Sequence, residues 1–313
     1  MDSIGGLLDG PRARDAFVLR TVLDPPWSMR IEDRAPVTIM AAIRGEASIA
    51  HDADPGEPSR LGAGEIAVVR GPEPYTVADH LETPVQVVIH PGQRCTTVEG
   101  VELAETMRLG VRTWGTSADG PVVLLIGSYE NAGEVGRRLL EALPPVLVLP
   151  VDALDSPLVA LLAEEAARDA PGQEAVLDRL LDLLLIAVLR AWFARPDADA
   201  PAWYRAQGDP VVGPALRMLQ NNPERPWTVA SLAREVGISR AALARRFNEL
   251  VGEPPMGFLT GWRLTLAADL LLEPGATVGS VAPRVGYATP YALSTAFKRV
   301  RGISPKEHRL RFA

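Results

Sequence analysis

The sequence predicts a two-domain α+β chain: an N-terminal β-barrel with a helical segment, then an all-α domain built from two helix-turn-helix units. Three observations carry this expectation. The hydrophobic period changes from two to about 3.6 near residue 156, the charge changes sign near residue 211, and one helical motif occurs twice in the C-terminal third. The length of 313 residues suits two domains, and 47% hydrophobic with 23% charged residues excludes a disordered or fibrous chain.

Short β-type runs punctuated by Gly and Pro come first: Phe17–Val22, Val37–Arg44, Ala47–His51, Glu65–Arg70, Val85–His90 and Val122–Tyr129. Turn clusters between them, such as Asp52–Pro58, predict an antiparallel sandwich or barrel. Glu134–Leu143 reads as a short helix stopped by Pro144 and Pro145, and Val146–Val151 as a strand or an extended connector. Beyond Ser156 one helix runs through Leu158 to Arg168 and ends before Pro171-Gly172. Gln173–Ala194 then repeats apolar residues with an unusually wide apolar face, which either packs within its own domain or forms a dimer seam. Arg195–Pro210, with three Pro, three Asp and no amphipathic period, is a linker between a first domain over residues 1–194 and a second over 211–313. Trp203 and Tyr204 inside it predict that part of it packs against something.

The charge follows the same division. From Val211 onward 14 Lys and Arg face 7 Asp and Glu, a balance of +7; the first 210 residues hold 18 and 32, a balance of -14, and together they give the net -7. Only the C-terminal part is therefore expected to meet a polyanion. A single cysteine, Cys95, excludes an internal disulfide framework and a Cys-rich zinc site and fits a reducing compartment. The opening residues lack a basic region followed by an apolar run, and no stretch reaches the ~18 uncharged residues of a membrane span. The expectation is a soluble cytoplasmic protein without a membrane partner.

The C-terminal helices are sharply punctuated. Val212–Asn221 is halted by Pro223; Thr228 caps Val229–Val236, and Gly237 stops it; Ser239 caps Arg240–Leu250. Met256–Leu272 is longer and ends at Pro274-Gly275; Val278–Val285 follows Thr277, and Thr289-Pro290 opens Tyr291–Arg301. Ser231–Phe247 and Ser280–Phe297 repeat one pattern: a small Ala (Ala233, Ala282), a Val-Gly pair, a Ser or Thr cap, and Leu then Phe four residues apart (Leu243 and Phe247, Leu293 and Phe297). Ala lets two helices approach, Gly takes the positive φ of a tight turn, and the Leu/Phe pair anchors the second helix to the core. The pattern is a helix-turn-helix in two copies. With Leu243 and Phe247 inward, the first reader helix presents Arg240, Ala241, Ala244 and Arg245, of which Arg245 suits a bidentate contact to guanine and the alanines a thymine methyl. The second presents Tyr291, Ser294, Thr295 and Lys298, whose weaker donors predict more phosphate anchoring and looser base readout. Arg217, Arg225, Arg246, Arg263, Arg299 and Arg301 are candidate phosphate contacts.

On these residues the C-terminal region resembles the DNA-binding domain of AraC/XylS-type transcription regulators. The resemblance covers Gly213 to Arg309 nearly without gaps and includes PWTVASLAREVGISRAALARRF and the ending FKR…GISPKEHR. It implies two helix-turn-helix units joined by Met256–Leu272, double-stranded operator DNA as partner, and RNA polymerase as a further contact. Thr295 stands where relatives often carry Arg, so strong sequence reading by the second unit is not implied. The first part is similar to the cupin-like sensor domain of one branch of that family, through Arg44–Ala50, Leu61–Asp79 and Leu139–Leu149. That implies a small-molecule or redox effector, with Tyr75 and Cys95 as candidate effector residues, while the wide apolar face of residues 174–194 predicts a homodimer. Tyr75 stands where a late cupin His is often found, and the four histidines include no His-x-His pair, so a metal-dependent cupin enzyme with an accessory DNA-binding tail is the disfavoured alternative. No cofactor is expected, and there is neither a nucleophile elbow nor a phosphate-binding Gly-rich loop. Cys95 reads either as a thiol sensor or as a half-buried structural cysteine.

Overall fold

The computed structural model describes residues 17–129, 140–154, 156–195, 198 and 200–312. The opening residues, positions 134–139 of the helix expected at Glu134–Leu143, and Pro196, Asp197 and Asp199 of the expected linker lie outside the described residues. The described chain forms two compact units, divided at residue 200.

The first unit holds thirteen strands: β1 Phe17–Leu23, β2 Ser28–Ile31, β3 Val37–Arg44, β4 Ala47–His51, β5 Ser59–Leu61, β6 Ile66–Arg70, β7 Tyr75–Ala78, β8 Val87–His90, β9 Arg94–Thr96, β10 Arg108–Gly110, β11 Thr113–Gly115, β12 Val122–Tyr129 and β13 Val146–Leu149. They pair into two sheets, in the orders β10-β11-β1-β12-β3-β6-β13 and β5-β4-β7-β2-β8-β9. Of the two arrangements expected, sandwich or barrel, the strands take the first: two facing sheets that do not close. The edge strands β5, β9 and β10 have only three residues each, too few to carry a ladder from one sheet into the other. Two pairings, β1 with β11 and β2 with β8, are parallel in an otherwise antiparallel arrangement. Trp27, Met29, Met40, Ile49, Leu61, Val77 and Leu124 fill the space between the sheets.

Six consecutive residues of β3, Val37 to Ala42, are buried, so the first sheet is covered on both faces. Two helices, α1 Leu158–Ala166 and α2 Gln173–Phe193, follow β13. At Gly127 in β12 a Cβ would lie 2.4 Å from the Leu181 side chain, so α2 rests closely on the outer face of that sheet. The wide apolar face of α2 is thus used within its own unit, through Leu177, Leu181, Leu184, Leu185 and Val188. Val176 and Leu183, 44% and 49% exposed, are left over.

The second unit is helical: α3 Ala202–Arg205, α4 Val212–Asn221, α5 Val229–Glu235, α6 Arg240–Val251, α7 Pro255–Leu272, α8 Val278–Arg284, α9 Pro290–Arg301 and α10 Pro305–Phe312. It has two cores. Leu216, Leu219, Leu232, Leu243 and Phe247 form one; Val281, Ala282, Val285, Leu293 and Phe297 form the other. Helix α7 serves both, giving Phe258, Leu259 and Trp262 to the first and Leu264, Ala267, Ala268 and Leu271 to the second. At ~1.5 Å per residue its 18 residues span about 27 Å. Within the stretch read as a linker, Trp203 packs on the first core and Ala206 is buried in it.

Candidate nucleic-acid interface

Each reader is built by the same local chemistry. Thr228 accepts from the Ser231 N–H at 3.0 Å while its own N–H donates to Ser231 Oγ at 2.9 Å; Thr277 and Ser280 repeat this capping box at 3.0 and 3.0 Å. Gly237 and Gly286 take φ of +73° and +76° in the two turns, which an L side chain adopts only at a cost. Ser239 Oγ then accepts from the Ala242 N–H and Thr289 Oγ1 from the Ala292 N–H, starting α6 and α9. Leu243, Phe247, Leu293 and Phe297 are fully buried, which fixes the rotation of both helices. The opposite faces are set by the same rotation. Arg240, Ala241 and Arg245 are exposed and Ala244 partly so; on α9 Tyr291, Thr295 and Lys298 are exposed, Ser294 is partly so, and Tyr291 reaches 80%. The structure therefore places all eight predicted reader residues on the two solvent faces.

The arginines divide. Among the described residues, Arg245 is held only by a loose 3.8 Å pair with Glu249, both largely exposed, which restrains the guanidinium little. Arg246, expected on phosphate, instead clasps Asp209: its Nε donates at 3.2 and 3.1 Å and its Nη2 at 2.6 Å. Asp209 also accepts from the Val211 and Val212 N–H groups at the start of α4. The Arg246 guanidinium holds the Asp209 carboxyl down at about 2. Arg263 is likewise turned inward. Its Nε donates to the Pro223 carbonyl at 2.6 Å and its Nη2 to the Arg225 carbonyl at 2.8 Å, and its guanidinium lies 5.9 Å from the Tyr287 ring. Arg225 stacks over Trp227.

A feature the sequence reading missed is α10, which closes the second core. His308 is buried, its Nε2 3.2 Å from the Ala268 carbonyl and its ring edge-on to Phe297. The signal was in the chain: Ser304 and Glu307 form a capping box, with Glu307 Oε2 accepting from the Ser304 N–H at 2.6 Å.

Comparison with known proteins gives the family. Residues 232–311 match the helix-turn-helix domain family and residues 2–194 the cupin family. A protein of Streptomyces lividans named as an AraC-like transcription regulator is 31% identical over 313 residues, covering 99% of this chain and 98% of its own. The chain belongs to the AraC-like transcription regulators. The helix-turn-helix-type transcriptional regulator AlkR of Acinetobacter baylyi is 34% identical over 201 residues, 62% of this chain and 65% of its own. Among solved structures, the DNA-binding domain of AdpA in complex with a target DNA is 32% identical, covers 34% of this chain and 94% of its own, and gives a TM-score of 0.31. This AraC-like regulator thus joins a DNA-binding helix-turn-helix region to an N-terminal cupin-like unit.

The cupin-like unit of this AraC-like regulator encloses a pocket between its sheets, with about 530 Å³ of empty space including the mouth. Tyr75, Cys95 and Trp114 line it, together with aliphatic side chains from both sheets. Trp27 and His90 lie outside it: Trp27 is buried in the core, and His90 pairs with Thr96 Oγ1 at 3.0 Å. Burial holds the Tyr75 hydroxyl neutral. It also pushes the Cys95 thiol up to about 11, helped by the nearby charge of Glu102. Such a thiol is almost wholly protonated at neutral pH and a poor nucleophile, which favours the structural reading of Cys95 over the sensor. The histidines do not fit a cupin metal centre. His51 Nδ1 accepts from the Ala53 N–H and its Nε2 donates to the Arg70 carbonyl at 2.7 Å, so both ring nitrogens are used. Among the described residues no three His, Cys, Asp or Glu come together in a way that would hold a metal ion, and no helix is long and apolar enough to cross a membrane.

Proposed function

We propose that this AraC-like regulator reads an operator through Arg240, Ala241, Ala244 and Arg245 of α6 and through Tyr291, Ser294, Thr295 and Lys298 of α9, under control of a small molecule held in the pocket beside Tyr75 and Cys95. The observation that carries it is the pair of capped reader helices whose exposed N-terminal faces stand on a basic unit. In this reading α6 supplies base discrimination, because Arg245 is its long, little-restrained donor, and α9 supplies anchoring through Lys298 with apolar contact from Tyr291. The effector acts by binding two arrangements of the protein unequally, which changes operator occupancy or contact with RNA polymerase. The leftover apolar residues Val176 and Leu183 of α2, with Leu161 of α1, support self-association as a homodimer.

Selection of sites bound by the full chain from random duplexes tests the reading. Arg245→Ala is expected to lose about 1–3 kcal/mol on the selected site and to relax preference at one position. Equal affinity for all duplexes, or an unchanged preference in the variant, overturns the assignment of base readout to α6.

A further inference from the structure

The pocket of the cupin-like unit carries a charge and a hydrogen-bond pattern that together name a ligand class. Phe17, Leu19 and Thr21 alternate along β1 and face it, and Thr21 is the register partner of Trp114 on β11, which also lines it. The Thr21 hydroxyl and the Trp114 indole N–H are both sealed from water, and neither has a hydrogen-bond partner. An unmet buried donor is costly, and two on one register pair of the pocket lining are a cost that an incoming acceptor removes. The indole N–H can only donate, so the group that satisfies it is an acceptor. No described residue of the lining is Lys, Arg or His, and its one carboxylic acid is Asp33, whose carboxyl burial pushes up and which already accepts from the Ala35 N–H and the Gln93 side chain. An anion would meet a carboxylate and no cation, and an ammonium would leave water for aliphatic walls and a carboxyl that is already engaged.

We infer that the pocket takes a neutral, largely apolar molecule carrying one acceptor oxygen, such as a ketone or an ester, whose oxygen is held by Thr21 and Trp114. This rests on the reading of the unit as a sensor but goes further, since that reading leaves the ligand's charge open. The aliphatic lining supplies the rest of the affinity.

Calorimetric titration of the full chain with 2-nonanone, nonane, nonanoate and nonylamine at pH 7.5 tests it. The expected result is that the ketone binds more tightly than any of the other three, and that Thr21→Val and Trp114→Phe each weaken it roughly three- to tenfold, a larger loss than either causes for nonane. Nonanoate or nonylamine binding as well as the ketone, or a ketone affinity indifferent to both substitutions, overturns it, as does failure of all four to bind. The same samples are assayed for binding to a selected duplex. Ketone binding that leaves duplex affinity unchanged supports the pocket assignment and overturns the sensor reading, so the two fail separately.

Discussion

At the scale of single residues, position on a helix does not decide what an arginine does. Arg245 and Arg246 are neighbours, yet Arg245 is left to the solvent and Arg246 is spent on Asp209. The difference lies in Asp209, far away in sequence and held rigid by capping α4. Its carboxyl stands at about 2, below the ordinary ~3.9, because Arg246 favours the charged form. A depressed folded value contributes stability that is complete above ~4 and is lost as pH falls through 2. The chemical-denaturation midpoint of the wild type should therefore exceed that of Asp209→Asn at pH 7, with the gap closing between pH 4 and pH 2. A gap that stays constant across that range would show that the carboxylate charge contributes nothing. Arg246→Ala should weaken DNA binding less than Arg245→Ala, and it should mimic the loss seen in Asp209→Asn.

At the scale of elements, α7 holds the two readers in register, and Arg263 is its clasp. The side chain ties the loop before α5 to the turn before α9, since it bonds the carbonyls of Pro223 and Arg225 and lies against Gly286, where a Cβ would come within 2.7 Å of its Nη2. Lys in its place keeps the charge but not the planar fork. Arg263→Lys should broaden the dependence of affinity on half-site separation, measured on duplexes with one or two base pairs inserted between the halves. An unchanged spacing profile would reduce Arg263 to a stabilising residue. The helices of this unit were legible in the sequence because caps, glycine stops and the Leu/Phe anchors are local signals. Val212–Asn221 fell where the sequence placed it, and so did the strands Val37–Arg44, Ala47–His51 and Val122–Tyr129. The short strands β2, β5, β7 and β9 to β11 were not legible, since three or four residues carry no period and their pairing comes from the partner strand. The eight reader positions could be read because the buried anchors fix the helix rotation. The roles of Arg246 and Arg263 could not, because they depend on carbonyls and a carboxylate brought close only by folding. For the same reason the pocket wall at Thr21 and Trp114 has no signature along the chain.

At the scale of the whole molecule, the balance of -14 and +7 on either side of residue 211 assigns DNA affinity to the second unit alone. On the proposed reading, the apolar residues left on α1 and α2 after the sheet is covered are where the first unit self-associates. Light scattering of the full chain at micromolar concentration should return twice the 33.6 kDa of one chain, and Leu183→Glu should return it to a single mass. A wild type of single mass would remove the homodimer from the proposal. Because helix α7 is the floor of both cores, neither helix-turn-helix unit is a detachable module: a cut anywhere along α7 strips the apolar cover from one of them. New pairings of half-site preferences among relatives must then arise by exchange of surface residues on α6 and α9, not by recombination of whole units.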